Sequence, residues 1–547
     1  MKQGSNRRLA NLKTRAETGF DYVVGQLDIQ TPFGKQELKA AEPFFPGQED
    51  ALRAELDRIE EMTAFVKEEP KAVSQLAEIF MCMKDISGSI RRSADSSLSE
   101  VEIFEVKSLM LEIEKIIKVL TEGKTAVPEE FIPLTTAELL DELDPRGDRL
   151  NTFYLYDDFS EKLAEYRKEK HQLDVAIRRA QKGRREEISK QYGILLTPKF
   201  DIVIPRSDER LATAREIPDL EQVGEDYMSV TFALTKNEEV FKLAAKADGL
   251  NVLIEEEEER VLGVLSKKIA NHSGLLLEDC HRIGRLDFIL AKAMFAVKYS
   301  CVKPEIVEEH IVVIDEGRQL QVEDVLKKKG KRYCPISIEL SEGVTCITGA
   351  NMGGKTISLK LSGLVPILAQ YGYFVPCRSA KVGLSNFMQI LIGDSQSVER
   401  GLSSFGSEME ELKEILDHAK DRSLILIDEI ASGTNPVEGL ALTRSLVDYL
   451  MDKPYITLIT THFETVTEEE GVRNMQVRGL GNVDFRLLDR ELKRANRKER
   501  INIIAKYMDY RLVLVDKGRQ IPKDALNIAK MLGIDDEIIK GAQKYLQ

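Results

Sequence analysis

The chain has few of the features that mark membrane, secreted or zinc-binding proteins. Its 547 residues contain no run of about eighteen apolar residues, the length that a helix needs to span a bilayer. The N-terminus is polar and basic and has no hydrophobic signal core. The six cysteines are scattered without a CxxC pair, which predicts reduced thiols rather than disulfides or a zinc site. We therefore expect a cytoplasmic protein with no membrane contact.

Size and charge narrow the class of protein further. At 61.8 kDa the chain exceeds the size at which one hydrophobic core stops growing, so two or three domains are expected. A hydrophobic content of 43% is ordinary for a soluble globular protein. The formal net charge of −14 argues against tight nonspecific binding to nucleic acid, although local basic patches can overcome a global deficit.

A phosphate-binding motif is the strongest positive signal in the chain. The pattern GxxxxGK[ST] is present as Gly349, Ala350, Asn351, Met352, Gly353, Gly354, Lys355 and Thr356. Its glycines leave backbone N–H groups free to surround a β-phosphate, Lys355 is expected to reach the β and γ oxygens, and Thr356 offers its hydroxyl to Mg²⁺. A β-branched apolar segment, 344–348, precedes the motif, and helical spacing of leucine and isoleucine follows it. The sequence therefore predicts a binding site for ATP with Mg²⁺.

Two further segments end in polar residues where buried strands are expected to end. The run 424–427 leads into Asp428 and Glu429. We expect Asp428 to hold Mg²⁺, directly or through water, and Glu429 to orient and polarise the water that attacks the γ-phosphate. The apolar segment 455–459 leads to His462, which is placed to sense the γ-phosphate. A lone histidine is more often structural, and that alternative stays open.

The order of four segments resembles the ATPase domain of the MutS family. The segments are Thr-Gly-Ala-Asn-Met-Gly-Gly-Lys-Thr at 348–356, Ser-Ser-Phe-Gly-Ser-Glu-Met at 403–409, Asp-Glu-Ile-Ala-Ser-Gly-Thr at 428–434 and Thr-Thr-His at 460–462. The Asn-Met-Gly-Gly-Lys core and the Asp-Glu-Ile-x-x-Gly-Thr stretch are narrower than a generic Walker pair. Ala350 stands where the family usually has proline, and this change removes no required functional group.

The resemblance implies a fold, an activity and a mode of assembly. The fold is an α/β P-loop NTPase domain of the ABC-like type, preceded by a large all-α core and lever domain in a multidomain chain. The activity is ATP hydrolysis by a head-to-head homodimer with composite sites, in which Ser403 and Ser404 reach toward the γ-phosphate of the opposite subunit. Their local pattern also fits a helix N-cap, and both roles are compatible.

The resemblance also predicts how the chain is divided into domains. The expected segments are an N-terminal part of the helical core at 1–158, a charged helical lever or clamp arm at 159–235, a C-terminal part of the core at 236–304, the ATPase domain at 305–510 and a dimer-associated helical tail at 511–547. The triplet Glu316-Gly317-Arg318 lacks the His-Pro that usually follows in the family, which leaves the details of the adenine pocket open. We expect neither the Phe-x-Glu mismatch-sensing domain nor an Smr nuclease tail.

The sequence leaves two alternatives for the partner of the chain. The first is DNA, held by a mismatch-repair-related or branched-DNA ATPase that clamps its partner under ATP control. The second is a protein client, because residues 20–23 and 44–47 are similar to MutS-like ATPases that reactivate an adenosylcobalamin-dependent lysine aminomutase.

A basic helical stretch at 159–191 is the best local candidate for contact with nucleic acid, because phosphate contacts require clustered lysine and arginine. A solvated helix face or an antiparallel coiled-coil arm explains the same pattern. A second basic segment at 490–500 is equally open, whereas the five consecutive glutamates at 255–259 would repel a DNA backbone.

Overall fold

The computed structural model describes residues 8–134, 137–349, 354–393, 404–480, 483, 485–494, 500, 503–504, 506–515 and 524–545. Among the residues predicted for the site, Ala350, Asn351, Met352, Gly353 and Ser403 lie outside these ranges. The chain forms two compact units. We call the first the sheet unit (Met1–Met81, Leu120–Ile132 and Ile283–Gln547) and the second the arm unit (Cys82–Val119 and Pro133–Arg282).

Helices make up most of the first 300 residues and alternate with strands thereafter. The helices are α1 Leu12–Thr18, α2 Phe20–Val24, α3 Pro32–Ala40, α4 Glu49–Glu68, α5 Pro70–Cys82, α6 Ser87–Arg92, α7 Glu100–Glu122, α8 Ala137–Leu143, α9 Glu161–Tyr192, α10 Arg210–Glu216, α11 Glu238–Asn271, α12 Ser273–Lys298, α13 Leu320–Lys328, α14 Gly354–Gln370, α15 Ser404–His418, α16 Pro436–Met451, α17 Phe485–Arg494, α18 Asp524–Met531 and α19 Asp536–Lys544. Short 3₁₀ turns lie at Glu129–Phe131, Asp157–Phe159 and Glu464–Glu468.

The strands form three sheets in the described part of the chain. They are β1 Asp201–Pro205, β2 Leu220–Glu225, β3 Ser229–Leu234, β4 Glu305–Val307, β5 Ile311–Gly317, β6 Ile336–Ser341, β7 Gly343–Thr348, β8 Ser379–Gly383, β9 Phe387–Ile392, β10 Ser423–Asp428, β11 Tyr455–Thr460, β12 Arg473–Gly479 and β13 Asp509–Leu514. The mixture of helices and sheets agrees with a multidomain α/β protein. The expectation of an all-α region before the ATPase domain is wrong for β1, β2 and β3, which form a sheet of their own.

The largest sheet has six strands in the order β13-β12-β7-β11-β10-β9. All its neighbouring strands are parallel except β12 and β13. Strand β10 is buried along its whole length, and β7 and β11 are buried after their first residue. Continuous runs of valine, isoleucine and leucine suit such strands, because helices cover both faces of a parallel sheet. The carboxyl ends of β7, β10 and β11 therefore meet at one edge of the sheet.

Helix α14 follows β7 and lies in the interior of the sheet unit. It contacts β10 and β11 of the six-stranded sheet, and β5 and β8 of a second sheet ordered β4-β8-β5-β6. All but three of its seventeen residues are buried, and Pro366 stands inside it. Helix α14 as a whole is thus packed between two sheets, and its first turn carries Lys355 and Thr356.

A buried charged cluster joins α4 and α12 within the sheet unit. The Glu55 carboxylate lies 2.8 Å from Arg285 and 3.6 Å from the Lys292 ammonium, and Lys292 also donates to the Tyr371 carbonyl at 3.1 Å. Burial lowers the pKa of Lys292 to about 8, although Glu55 opposes the shift. Burial raises the pKa of Glu55, but Lys292 and Arg285 outweigh it and hold this pKa below its ordinary value. The Glu55 carboxylate therefore depends on Lys292 and Arg285 to remain ionised in this buried position.

The arm unit is built on two long helices, α9 and α11, which pack against each other. The end of α9 and the following residues pack against a small antiparallel sheet in the order β1-β3-β2. We call residues 194–235, which contain this sheet, the tip domain. Its core contains Ile204 and Phe232 and is completed by Ile188 of α9. The guanidinium of Arg184 on α9 pairs with Asp219.

No helix in the described ranges is both long and apolar enough to cross a membrane.

Candidate nucleotide-binding site

The predicted phosphate-binding lysine lies where three parallel strands end. Strand β7 leads to Gly349, whose φ of 121° favours glycine, and α14 begins at Gly354. A Cβ at Gly354 would lie 3.2 Å from the Val477 methyl groups and 3.4 Å from Tyr510. Glycine therefore lets the start of α14 approach β12 and β13 closely.

The Lys355 ammonium contacts two side chains from the neighbouring strand ends. Its Nζ lies 3.1 Å from Glu429 Oε1 and 3.2 Å from His462 Nδ1, and its side chain is only 3% exposed. The third side of this triangle joins His462 Nε2 to Glu429 Oε1 at 2.8 Å. Because an ammonium can only donate, His462 Nδ1 accepts from it, and this tautomer has Nε2–H donating to Glu429. Lys355, Glu429 and His462 thus form one hydrogen-bonded cluster.

Thr356 and Asp428 form a second contact beside this cluster. The Thr356 hydroxyl donates to Asp428 Oδ2 at 2.9 Å, and the Thr460 hydroxyl donates to Asp428 Oδ1. The parallel register of β10 and β11 places Asp428 opposite Thr460, which explains the second bond. A hydroxyl and a carboxylate are oxygen ligands of the kind that Mg²⁺ prefers, and their oxygens are close enough to face one cation.

A protein-only metal cage is absent from the described residues, where no group of three or more His, Cys, Asp or Glu could hold a metal ion. In nucleotide sites Mg²⁺ is commonly bound through one or two protein oxygens together with substrate phosphates and water. Thr356 and Asp428 therefore fit the predicted metal as a pair, with the remaining ligands supplied by phosphate and water.

The backbone at Glu429 has an unusual conformation. Its φ is 50°, and that of Ala431 is 58°, so both residues lie in the left-handed region that costs a non-glycine residue about 1–3 kcal/mol. The Glu429 N–H donates to the carbonyl and the hydroxyl of Thr460, at 3.0 and 3.1 Å. The neighbouring strand thus holds the turn that directs the Glu429 carboxylate toward Lys355.

The electrostatic surroundings keep Glu429 ionised. Burial raises the pKa of Glu429, but the Lys355 ammonium and the His462 hydrogen bond outweigh this effect and hold the pKa below its ordinary value. A carboxylate that is already charged at neutral pH accepts hydrogen bonds strongly and so can orient a water molecule.

Helix α15 contacts the loop that follows Glu429. Glu408 on α15 is buried and accepts a hydrogen bond from the Ala431 N–H at 3.2 Å. Burial raises the pKa of Glu408, and this hydrogen bond only partly offsets the increase. Ser404 is the first residue of α15, and only its backbone is described. The predicted roles of Ser403 and Ser404 across a subunit interface therefore stay predictions.

Thr460 and Glu408 contact the site, although the sequence-based prediction gives neither of them a role. Thr460 is the last residue of a predicted strand, and its pairing with Asp428 follows once β10 and β11 are known to be neighbours. Glu408 lies within the segment 403–409 of the resemblance, but its contact with Ala431 could not be predicted because it depends on how α15 packs on the sheet.

Comparison with known proteins identifies the family of the C-terminal domain. The family model "MutS domain V" matches residues 345–547. Proteins named "Endonuclease MutS2" are similar to the chain over a longer span. The protein from Clostridium botulinum strain Okra is 38% identical over 299 residues, which are 53% of this chain and 34% of that protein. The one from Thermomicrobium roseum is 31% identical over 432 residues, 76% of this chain and 50% of that protein.

A third relative of the same name, from Acetivibrio thermocellus, is 33% identical over 300 residues, 54% of this chain and 34% of that protein. The chain thus spans between a third and a half of the length of these relatives. The matched domain contains Lys355, Asp428, Glu429 and His462, and MutS domain V is a P-loop ATPase domain. Residues 345–547 therefore form a domain of the MutS family, and the chain is similar to proteins named Endonuclease MutS2 beyond that domain.

Proposed function

We propose that the chain binds ATP with Mg²⁺ and hydrolyses it. The observation that carries this proposal is the position of the Glu429 carboxylate, within 3.1 Å of the Lys355 ammonium and within 2.8 Å of His462. P-loop hydrolysis requires a lysine for the β and γ oxygens and a carboxylate for the attacking water in the same small volume. The chain brings these groups together from β7, β10 and β11.

Each residue has a separate task in this reaction. Lys355 binds the β- and γ-phosphate oxygens, and Glu429 accepts hydrogen bonds from the attacking water and orients it. His462 holds the Glu429 carboxylate through Nε2–H and reports on the γ-phosphate through its contact with Lys355. Thr356 and Asp428 would hold Mg²⁺, which neutralises phosphate charge when bound.

Glu429→Gln tests the proposal directly. The amide keeps the size of the side chain but orients water poorly, so turnover should fall by about 100- to 10,000-fold while ATP still binds. Steady-state ATPase rates and isothermal titration with ATP measure the two quantities separately. Asp448→Asn, which removes an exposed acid on α16, is the control and should leave both unchanged. Turnover of Glu429→Gln equal to that of the wild type would refute the role of Glu429.

We further propose that the nucleotide cycle opens and closes a homodimer around DNA. ATP would join two nucleotide-binding domains across composite sites, and hydrolysis would separate them. The charge of α9 supports DNA as the partner, because its residues 161–192 include ten lysines and arginines against six acidic residues. Arg178 and Arg179 are adjacent on this helix and exposed. The name MutS2 endonuclease, carried by the relatives, is consistent with a partner of this class.

The tip domain favours a second candidate function, the reactivation of a protein client such as an aminomutase. Tyr227 is 93% exposed and Met228 is 72% exposed, at a turn that is held by hydrogen bonds to the Asp226 carboxylate. The domain has eight acidic and four basic residues, a balance that repels phosphate and suits a protein surface. Exposed aromatic and methionine side chains are typical anchors of protein interfaces.

Mobility shift across a salt series separates the two candidates. Duplex and branched DNA should be retarded at low salt and released as salt rises, because the phosphate contacts release counterions. Tyr227→Ala should leave this shift unchanged if the tip domain serves a protein. The absence of a shift on duplex, branched and looped DNA at low salt would leave the protein client as the better candidate.

A further inference from the structure

Helix α1 and Leu9, two residues before the N-cap Asn11, cover the free edge of the six-stranded sheet. The Met388 N–H donates to the Leu9 carbonyl at 2.7 Å, and the Ile390 N–H donates to the Thr14 hydroxyl at 3.2 Å. The same hydroxyl donates to Gln389 Oε1 at 2.7 Å, although 375 residues separate the two side chains in sequence. Because β9 is the last strand of the sheet, these bonds satisfy backbone groups that an open edge would leave exposed.

Two ion pairs extend from α1 to two different helices of the nucleotide-binding domain. Lys13 Nζ lies 2.7 Å from Glu411 Oε2 on α15, and Glu17 Oε2 lies 2.7 Å from Lys360 Nζ on α14. All four side chains are between a quarter and about a third exposed, so solvent screens both pairs only in part. Helix α1 therefore connects α14 to α15 on the side of the sheet formed by β9.

Helices α1 and α14 pack so closely that there is no room for a side chain at Gly363 of α14. A Cβ at Gly363 would lie 2.5 Å from Thr18 Cγ2 and 2.9 Å from Leu426 Cδ1. Thr18 is held in turn by a hydrogen bond from its hydroxyl to the Thr14 carbonyl at 2.8 Å, and its own carbonyl accepts from Gln319 Nε2 at 3.1 Å. The absence of a side chain at Gly363 thus allows the two helices to interlock.

We infer that α1 is a brace that sets the position of α15 relative to α14, and that Lys13 and Glu17 are positioning residues for ATP hydrolysis. The inference rests on the proposed function. Helix α14 carries Lys355 and Thr356 in its first turn, so the pair with Lys360 acts on nucleotide binding. Helix α15 holds the loop after Glu429 through Glu408, so the pair with Glu411 acts on turnover.

Charge-reversal variants of the 547-residue chain test the inference. The quantities to measure are kcat and the KM for ATP. Lys13→Glu and Glu411→Lys should each lower kcat about two- to fivefold with little change in KM, the size expected when a partly exposed ion pair is lost. Glu17→Lys and Lys360→Glu should instead raise the KM for ATP by a similar factor. Each double exchange restores the pair in reverse and should return the parameter to within about twofold of the wild type.

The control is Arg15→Gln, which breaks an ion pair between α1 and Asp21 that stays within the N-terminal segment. It should leave kcat and KM within about twofold of the wild-type values. A general loss of helix stability would change all these variants alike and would not be reversed by charge exchange. Lys13→Met, which keeps the length of the side chain, repeats the test without introducing a repulsive charge.

Three results would overturn the inference. The first is wild-type kcat in Lys13→Glu and Lys13→Met, and the second is a double exchange no better than its single variants. In both cases a wild-type protein that hydrolyses ATP leaves the proposed function intact. The third is a wild-type protein without ATPase activity, which would refute the proposed function and remove the basis of the brace.

Discussion

The charges of the nucleotide site and the charges of α9 are arranged in opposite ways. Lys355, Glu429 and His462 lie within 3.2 Å of one another and are held by strand ends, so each determines the state of the others. On α9, Arg178 and Arg179 are exposed to solvent. The first arrangement suits chemistry, in which one carboxylate has one task. The second suits contact with an extended charged partner, in which the number of charges matters more than their identity.

The comparison predicts how mutations act in each region. In the cluster of Lys355, Glu429 and His462 one substitution removes a function or leaves a charge without a partner, and its effect is large. On the exposed helix each substitution removes one of many equivalent contacts, and the effects are small and add up.

Loss of the lysine should have the largest effect. Lys355→Ala removes two charge-assisted hydrogen bonds to phosphate, each worth about 1.5–3 kcal/mol, so ATP should bind at least about 100-fold more weakly. Isothermal titration with ATP and Mg²⁺ measures the change. Lys413→Ala, on the exposed side of α15, is the control and should bind ATP as the wild type does. Unchanged affinity in Lys355→Ala would overturn the assignment of the site.

Loss of the buried carboxylate of Glu55 on α4 should have the next largest effect, on the free energy of unfolding. Glu55→Ala leaves Lys292 and Arg285 without their buried carboxylate, which should lower the free energy of unfolding by about 3–5 kcal/mol. Asp50→Ala on the same helix breaks only the exposed pair with Arg53 and should cost less than about 1 kcal/mol. Urea unfolding of the two variants gives the difference, and equal costs would mean that the buried cluster contributes no more than a surface pair.

His462 should change the pH dependence of turnover. Since the pKa of Glu429 is held below its ordinary value, activity that depends on the carboxylate is present above that pKa and is lost only as pH falls through it. His462→Ala removes one of the contacts that lower this pKa, so the acid limb of the kcat profile should move to higher pH. His418→Ala, which removes an exposed histidine on α15, should leave the limb in place. An unmoved limb in His462→Ala would contradict the proposed contact.

Substitutions on α9 should have the smallest effect for each residue changed. Replacement of both Arg178 and Arg179 with glutamine should weaken DNA binding and reduce the salt slope by about one unit for each lost phosphate contact. Lys242→Gln on α11, whose lysine already pairs with Glu238, serves as the control and should change the slope less. A slope that is the same in all three proteins would show that α9 does not touch the phosphates.

Much of the site could be predicted from sequence because its signals are local. A glycine-rich loop after a β-branched segment and two acids after an apolar run each identify a strand end, and parallel strands place such ends at one edge. The meeting of Lys355 with Glu429 and His462 follows from that rule. The division of the chain into five consecutive segments stays a prediction. Each of the two compact units is assembled from stretches that are far apart in sequence, so their boundaries cannot be compared directly with those of the segments.

The rest depends on contacts that no local pattern reveals. The left-handed backbone of Glu429 is set by Thr460 on a neighbouring strand, and glutamate has no intrinsic preference for that conformation. The packing of α1 on β9 brings together residues 375 positions apart, and a seven-residue polar helix gives no sign of its partner. The same holds for the pairing of Glu408 with Ala431.

The interlocking of Thr18 with Gly363 implies that these two positions cannot evolve independently. A Cβ at 363 meets both Thr18 and Leu426, so Gly363→Ala alone should impair the protein, and Thr18→Gly, which removes the closer contact, should rescue it in part. A selection for restored activity from Gly363→Ala is thus expected to return second changes at the start of the chain, far from the lesion in sequence and in direct contact with it in space.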